Sequence, residues 1–340
     1  MSATGPTGPT TPTASTARLA EHATRVAVIG GGAIGCVWAA CLARVGAHVT
    51  VVDPALDIVN AAAGAGIVVE THDGIGAPVR VVATSDPRTQ PAGDGEPVDV
   101  AFFFVKGYHT QAAAQLARPL VAAHTTVVTQ QNGWGNADTL AQAYDRSQIV
   151  VGITYHSATV IAPARVRHTS VGPSYVGPYA EEAGMRRAEE VASLLRAAGL
   201  EATATAAVKT EIWKKLILNC ATLAPSALTR LTAGAIGADR ALLELLDGLT
   251  AEAVAVARAQ GYDIDVAERQ ARIHAMMGAG GSGKASMLQD VEAGRRTEIE
   301  TVTGAVVRAA VRAEIDVPLN RTMLALVRGL ERSYLKEEAQ

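Results

Sequence analysis

A lysine and an asparagine four residues apart, Lys215 and Asn219, stand in the run Trp213-Lys214-Lys215-Leu216-Ile217-Leu218-Asn219-Cys220. Helical spacing puts the amine and the amide on one face. Trp213 and Leu216 to Leu218 surround Lys215 with apolar side chains, and desolvation of an amine disfavours its charged form, so such a lysine can be tuned toward proton transfer. A second group of residues points to anion binding. Gly30-Gly31-Gly32-Ala33-Ile34-Gly35 fits GxGxxG and lies between a β-branched run and a helical one. Gly30 permits a tight turn, Gly32 lets backbone approach a pyrophosphate, Gly35 packs helix on strand, and Ala33 and Ile34 open a helix whose N–H groups face the anion. Asp53 closes the next β-branched run, where its carboxylate can accept from adenosine ribose hydroxyls or cap the helix that follows Pro54. An acid there repels a 2′-phosphate, and no Arg or Lys follows within Pro54 to Val59, so NAD(H) is favoured over NADP(H).

The elements that must hold these residues are readable from periodicity. Residues 25–30, 48–53, 98–105 and 125–130 are apolar runs of buried-strand type, and 33–44 and 110–122 between them are helical. Residues 66–70 and 79–83 flank Asp73-Gly74 and predict an inserted hairpin, and 149–179 is expected to extend the sheet. A helix is expected at 185–198. Beyond 207 the pattern is helical, with candidates at 209–222, 239–260, 263–277, 284–294, 296–313 and 319–336. The fold class is therefore α/β: an N-terminal Rossmann-type doubly wound parallel sheet followed by an all-α C-terminal domain. Residues 1–23, rich in Thr, Pro, Ala and Gly, read as a disordered tail, 24–206 as the dinucleotide-binding domain and 207–340 as a helical substrate and dimerisation domain.

Composition agrees with a packed globular protein. The chain has 340 residues, 49% of them hydrophobic, and a net charge of -3 with no basic tract, which argues against nucleic-acid binding. The uncharged stretch 26–43 is interrupted by three glycines and reads as strand, turn and helix, so no membrane span is expected. Three cysteines, Cys36, Cys41 and Cys220, lack CxxC spacing, which suits a reducing cytoplasm, and no His, Cys and carboxylate spacing suggests a metal.

Several separated motifs in order give the chain, from Arg25 onward, a resemblance to the ketopantoate reductase (2-dehydropantoate 2-reductase) family. They are the glycine loop, Phe104-Val105-Lys106, Gln131-Asn132-Gly133, the lysine helix, and Ser286-Met287-Leu288-Gln289-Asp290 followed by Arg296-Thr297-Glu298-Ile299. The resemblance implies hydride transfer between a nicotinamide cofactor and a small 2-oxo acid or related carbonyl or alcohol, in a homodimer. Lys215 would be the general acid or base and Asn219 would position the substrate. Glu298 would contact the reacting hydroxyl, the lysine or the nicotinamide end of the cofactor. Ser286 would bind the substrate carboxylate, or simply cap a helix. Asn132 would touch cofactor and substrate, Lys106 the cofactor ribose or a substrate carboxylate, and Ala158 the nicotinamide. His156, His109 and His168 read as structural.

The chain also departs from that family's pattern. Leu223, Ala233 and Gly283 stand where the family usually carries asparagines, so hydrogen-bonding groups are missing where the substrate's hydroxyl end belongs. A ketone or imine other than ketopantoate is an alternative substrate, and a dinucleotide-binding redox sensor without turnover is an alternative function.

Overall fold

The computed structural model describes residues 23–88 and 97–335. The expected tail falls almost wholly outside the described residues. The first half runs β1 (Arg25–Ile29), α1 (Ala33–Arg44), β2 (His48–Val52), α2 (Leu56–Gly64), β3 (Val68–Thr71), β4 (Gly74–Ile75), β5 (Val82–Thr84), β6 (Val100–Phe103), α3 (Thr110–Ala117), β7 (Thr126–Thr129), α4 (Asn136–Leu140) and β8 (Ile149–Thr154). It continues with β9 (Ser157–Ala162), β10 (Arg165–Ser170), β11 (Ser174–Pro178), α5 (Arg186–Ala197) and β12 (Ala202–Ala204). The main sheet has eight strands in the order β12-β11-β8-β7-β6-β1-β2-β5. Its central pairs, from β8 across to β5, are all parallel.

Alternation explains why these strands are apolar throughout. Val26, Val28, Phe102 and Val128 feed one core, under α1, while Ala27, Ile29, Phe103 and Val127 feed the other. Successive side chains point to opposite faces, and both faces are covered.

Two expectations change here. The arm at 79–83 does not pair along its length with 66–70: Ile67 and Val79 form one antiparallel bridge, after which β5 joins the main sheet beside β2. The stretch 149–179 splits as well. β8 and β11 stay in the main sheet, whereas β9 and β10 join β3 and β4 in a second, four-stranded sheet. Every residue of β8 is buried, but β9 alternates poorly and is mostly exposed, so it suits a hairpin over α1 better than a strand covered on both faces. Glu70 of β3 fastens that hairpin, accepting from Arg165 at 2.8 Å and from Arg167 at 2.8 Å.

The second half is α6 (Val208–Thr229), α7 (Ala233–Gly237), α8 (Arg240–Ala259), α9 (Val266–Ala279), α10 (Ser286–Glu292), α11 (Thr303–Arg312) and α12 (Pro318–Arg332), around a separate apolar core. α6 runs through Pro225, past the expected end at 222, because residues 219–227 are buried on all sides and packing outweighs the missing N–H. The expected helix at 296–313 begins only at Thr303. Residues before it form turns tied to other elements, with Thr297 N donating to Glu331 Oε1 at 2.6 Å and Trp134 N donating to Thr301 O at 2.9 Å. No helix among the described residues is long and apolar enough to cross a membrane.

Candidate active site

A cleft of about 480 Å³ lies where the C-terminal ends of the parallel strands face the helical half, and Ile34, Asn132, Thr154, Lys215, Asn219 and Glu298 line it. The glycine loop reaches the cleft through Ile34. Gly30 has φ +106°, and a Cβ on Gly35 would stand 1.9 Å from Gly30 O, so strand and helix meet with no room for a side chain. A Cβ on Gly32 would meet nothing within 4 Å. Protein packing does not call for glycine at 32, whereas close approach of a ligand to the backbone does. No side chain caps α1, which leaves its first-turn N–H groups for an anion. Asp53 borders this loop, accepting from Gly31 N at 2.8 Å and from Ala55 N at 2.9 Å. These residues fit a dinucleotide: the loop would hold its pyrophosphate and Asp53 its adenosine ribose.

From the helical half α6 presents Lys215 and Asn219 to the cleft on successive turns, while Leu216, Ile217 and Cys220 face the core. Lys215 Nζ donates to Thr154 O at 2.5 Å, at the end of β8. Burial pulls its amine down to about 8, against the opposing pull of Glu298. Glu298 sits on a turn rather than on a helix, and its Oε1 accepts from Gly107 N at 3.1 Å. His156 lines the cleft beside them. It is held by His168, with Nδ1 to Nε2 at 2.8 Å, and by the edge of Trp38. Burial, then His168 and Lys215, lower its pKa to about 4, so the ring is neutral next to the amine.

Lys106 is engaged by two carboxylates. Its Nζ lies 2.6 Å from Asp290 Oδ2 and 3.6 Å from Glu298 Oε2, so it bridges the sheet to the helical half. Burial works against its charge, but Glu298 and Asp290 outweigh burial and raise its pKa. Asp290, 4% exposed, ends the Ser286 motif and is a functional position to which no sequence feature assigned a role. Its spacing of four from Ser286 was the available signal, since both lie on one side of α10. Removing it in Asp290→Ala is expected to lower stability by about 1–3 kcal/mol, the usual cost of stripping a partner from a buried group. The urea midpoint, at unchanged slope, measures this.

The remaining positions divide as follows. Asn132 lines the cleft, and the turn after it docks on the turn that carries Glu298: Gly133 has φ +89°, and a Cβ there would stand 2.3 Å from Thr301 O. Ala158 and Ser286 also line the cleft. Ser286 is the first residue of α10, one past the N-cap position, which Ala285 occupies. Leu223, Ala233 and Gly283 come together with Ile236, Met276 and Met277 at the far end. The hydroxyls nearby are spent on backbone, Thr222 on Leu218 O and Ser226 on Leu231 O, both at 2.8 Å.

Comparison with known proteins finds relatives for both halves of the chain. The family model for ketopantoate reductase PanE/ApbA matches residues 26–181, and that for its C-terminal region matches 207–331. The 2-dehydropantoate 2-reductase of Halobacterium salinarum is 33% identical over 311 residues, covering 91% of this chain and 99% of that protein. That of Archaeoglobus fulgidus is 33% identical over 255 residues, 75% of this chain and 81% of the other. Among solved structures, a PanE/ApbA family ketopantoate reductase from Ralstonia eutropha JMP134 superposes with a TM-score of 0.81 at 32% identity, covering 92% of this chain and 99% of that one. A D-mandelate dehydrogenase with NADH and anilino(oxo)acetate gives a TM-score of 0.84 at 21% identity over 92% of this chain and 99% of that one, a likeness of fold alone. Two family models that between them span both halves, and a relative one-third identical over nine-tenths of the length, place the chain in the ketopantoate reductase family of oxidoreductases.

Proposed function

We propose that the protein reduces a small 2-oxo acid or related carbonyl compound, or oxidises the matching alcohol, with NAD(H), and that Lys215 moves the proton. The observation that carries this reading is Lys215 itself: a desolvated amine, pulled to about 8, in a cleft that runs to an uncapped glycine loop. A nicotinamide bound there supplies or accepts the hydride. The chain does the rest. Lys215 donates its proton to the carbonyl oxygen in reduction and takes it back in oxidation. Thr154 O fixes the amine, and Glu298 favours its charged form. Asn219, one turn on, orients the reacting oxygen, and Ser286 binds the substrate carboxylate. Lys106 acts as a strut between the halves, divided near residue 206.

A panel of 2-oxo acids, ketones and imines, run with NADH and NADPH, tests the reading. Turnover with at least one member is expected. Tight dinucleotide binding with no turnover on any of them would make the protein a sensor instead.

For the cofactor, NADH is expected to give the higher kcat/KM. Asp53 stands beside the loop, and the end of β5 adds a second carboxylate, Asp86, which already occupies Arg88 at 2.6 Å. Among the described residues between Asp53 and Arg88 no cation beside the loop is then left over for a 2′-phosphate, since Arg80 donates to Gly64 O. Replacing Asp53 by Ala together with Pro54 by Arg is expected to shift preference toward NADPH, and an unmodified enzyme that works equally well with NADPH sinks the assignment. The same reading makes the protein a cytoplasmic homodimer; exposed Val311 of α11 and Leu326 of α12 are apolar side chains that a second copy would cover, and sedimentation velocity tests it.

A further inference from the structure

Gln130 leaves β7 two residues before Asn132, in a position that no motif singles out. It is 3% exposed, yet neither Nε2 nor Oε1 of its amide has a hydrogen-bond partner among the described residues. Leaving both ends of a buried amide unpaired is costly, and native proteins rarely tolerate it away from a ligand or water. The side chain also lines the cleft, in company with Ile34, Phe104, His156 and Ala158. By strand alternation it shares a face with Val128, the face covered by α1. That face is aromatic and packed here: Phe104 stacks on Phe102 at 6.1 Å and meets the edge of Trp38 at 5.4 Å.

Topology says what passes this point. The glycine loop follows β1, and Lys215 is bonded to the end of β8, with β6 and β7 between them in the sheet. A dinucleotide whose phosphates rest on α1 and whose reactive ring reaches Lys215 must cross the ends of β6 and β7. Its ring therefore arrives beside Gln130. The ring carries one paired donor and acceptor, the carboxamide, and a glutamine amide offers the same pair reversed. We infer that Gln130 receives the nicotinamide carboxamide, Oε1 accepting from its NH2 and Nε2 donating to its oxygen, and so sets which face of the ring meets the substrate. This rests on the dinucleotide reading above.

Binding of NADH and of ADP-ribose, which lacks the ring, separates the two claims. Gln130→Met and Gln130→Leu are expected to weaken NADH by roughly five- to fiftyfold, the worth of two amide hydrogen bonds, while ADP-ribose binds as before. Because each variant removes two unsatisfied buried atoms, the ligand-free protein is expected to melt no lower than the parent, and higher with Leu. The parent should also prefer NADH over its 3-acetylpyridine analogue, which lacks the amide donor, and the variants should lose that preference. Undiminished NADH binding by a folded variant overturns the inference and leaves the dinucleotide reading intact. Equal weakening of NADH and ADP-ribose, or a lowered melting temperature in both variants, also overturns it by making Gln130 a structural residue. A parent that binds neither ligand overturns both claims.

Discussion

Lys215→Ala should cut turnover by about two to four powers of ten while leaving NADH affinity close to that of the parent, the loss typical of a positioned acid or base. The geometry makes the split between the two readouts sharp. Lys215 reaches Thr154 O at the end of β8, whereas the glycine loop and Asp53 stand at the ends of β1 and β2, across two intervening strands. Removing the amine therefore leaves the proposed phosphate and ribose contacts alone. The pH dependence gives a second test of the same residue. With its pKa near 8, the amine is mostly protonated at pH 7 and mostly neutral at pH 9. Reduction needs the proton in place, so kcat/KM for the carbonyl substrate should fall as pH rises through about 8; oxidation needs the neutral amine, so kcat/KM for the alcohol should rise over the same range. Glu298→Gln removes a charge that favours protonation and should move both limbs to lower pH. A loss of turnover below about tenfold in Lys215→Ala would mean that another group moves the proton.

The parts of this site that local pattern encodes were legible in the sequence. GxGxxG between a β-branched run and a helix, with Asp53 after the next strand, needs only neighbours along the chain to be recognised. Lys215 and Asn219 share a face by helical spacing alone, and the structure brings both to the cleft. What could not be read depends on pairing between distant segments. β9 and β10 carry strand-like composition, but only the competition for a place in a doubly covered sheet sends them to β3 and β4. Pro225 reads locally as a stop, and burial of the surrounding α6 residues overrides it. Glu298 lies where periodicity suggests helix; contacts to Trp134 and Gly107 from the other half hold that segment as a turn. Lys106 follows a strand in the position of a ligand-binding group, and its pairing with Asp290, 184 residues away, is visible only in the folded chain. Gln130 is the converse case, a polar residue in an apolar run whose meaning appears only once its neighbours are seen to offer it no partner.

Ketopantoate should be a poor substrate compared with a carbonyl compound bearing a more hydrophobic tail. The far end of the cleft is where a tail must lie once the reacting oxygen is at Lys215 and Asn219. Leu223, Ala233, Ile236, Met276 and Met277 line that end, and the neighbouring hydroxyls of Thr222 and Ser226 already donate to backbone carbonyls of their own region. A substrate hydroxyl buried there could at most donate to the oxygens of Thr222 and Ser226, whose own protons are committed, and would lose the rest of its water shell, at a cost of about 1–3 kcal/mol, or roughly five- to two-hundredfold in binding. An apolar tail incurs no such loss and gains from burial against Leu223 and the methionines, at about 25 cal/mol for each Å² removed from water. The preference should reside in KM and in kcat/KM together, because the proton-transfer groups are shared by both substrates. Leu223→Asn with Ala233→Asn puts amides back at that end, and should raise kcat/KM for ketopantoate selectively while lowering it for the apolar analogue. An unmodified protein that reduces ketopantoate above about 10⁵ M⁻¹s⁻¹, and better than every apolar analogue tested, would show that the missing amides are replaced from somewhere else and that the apolar end does not set the choice.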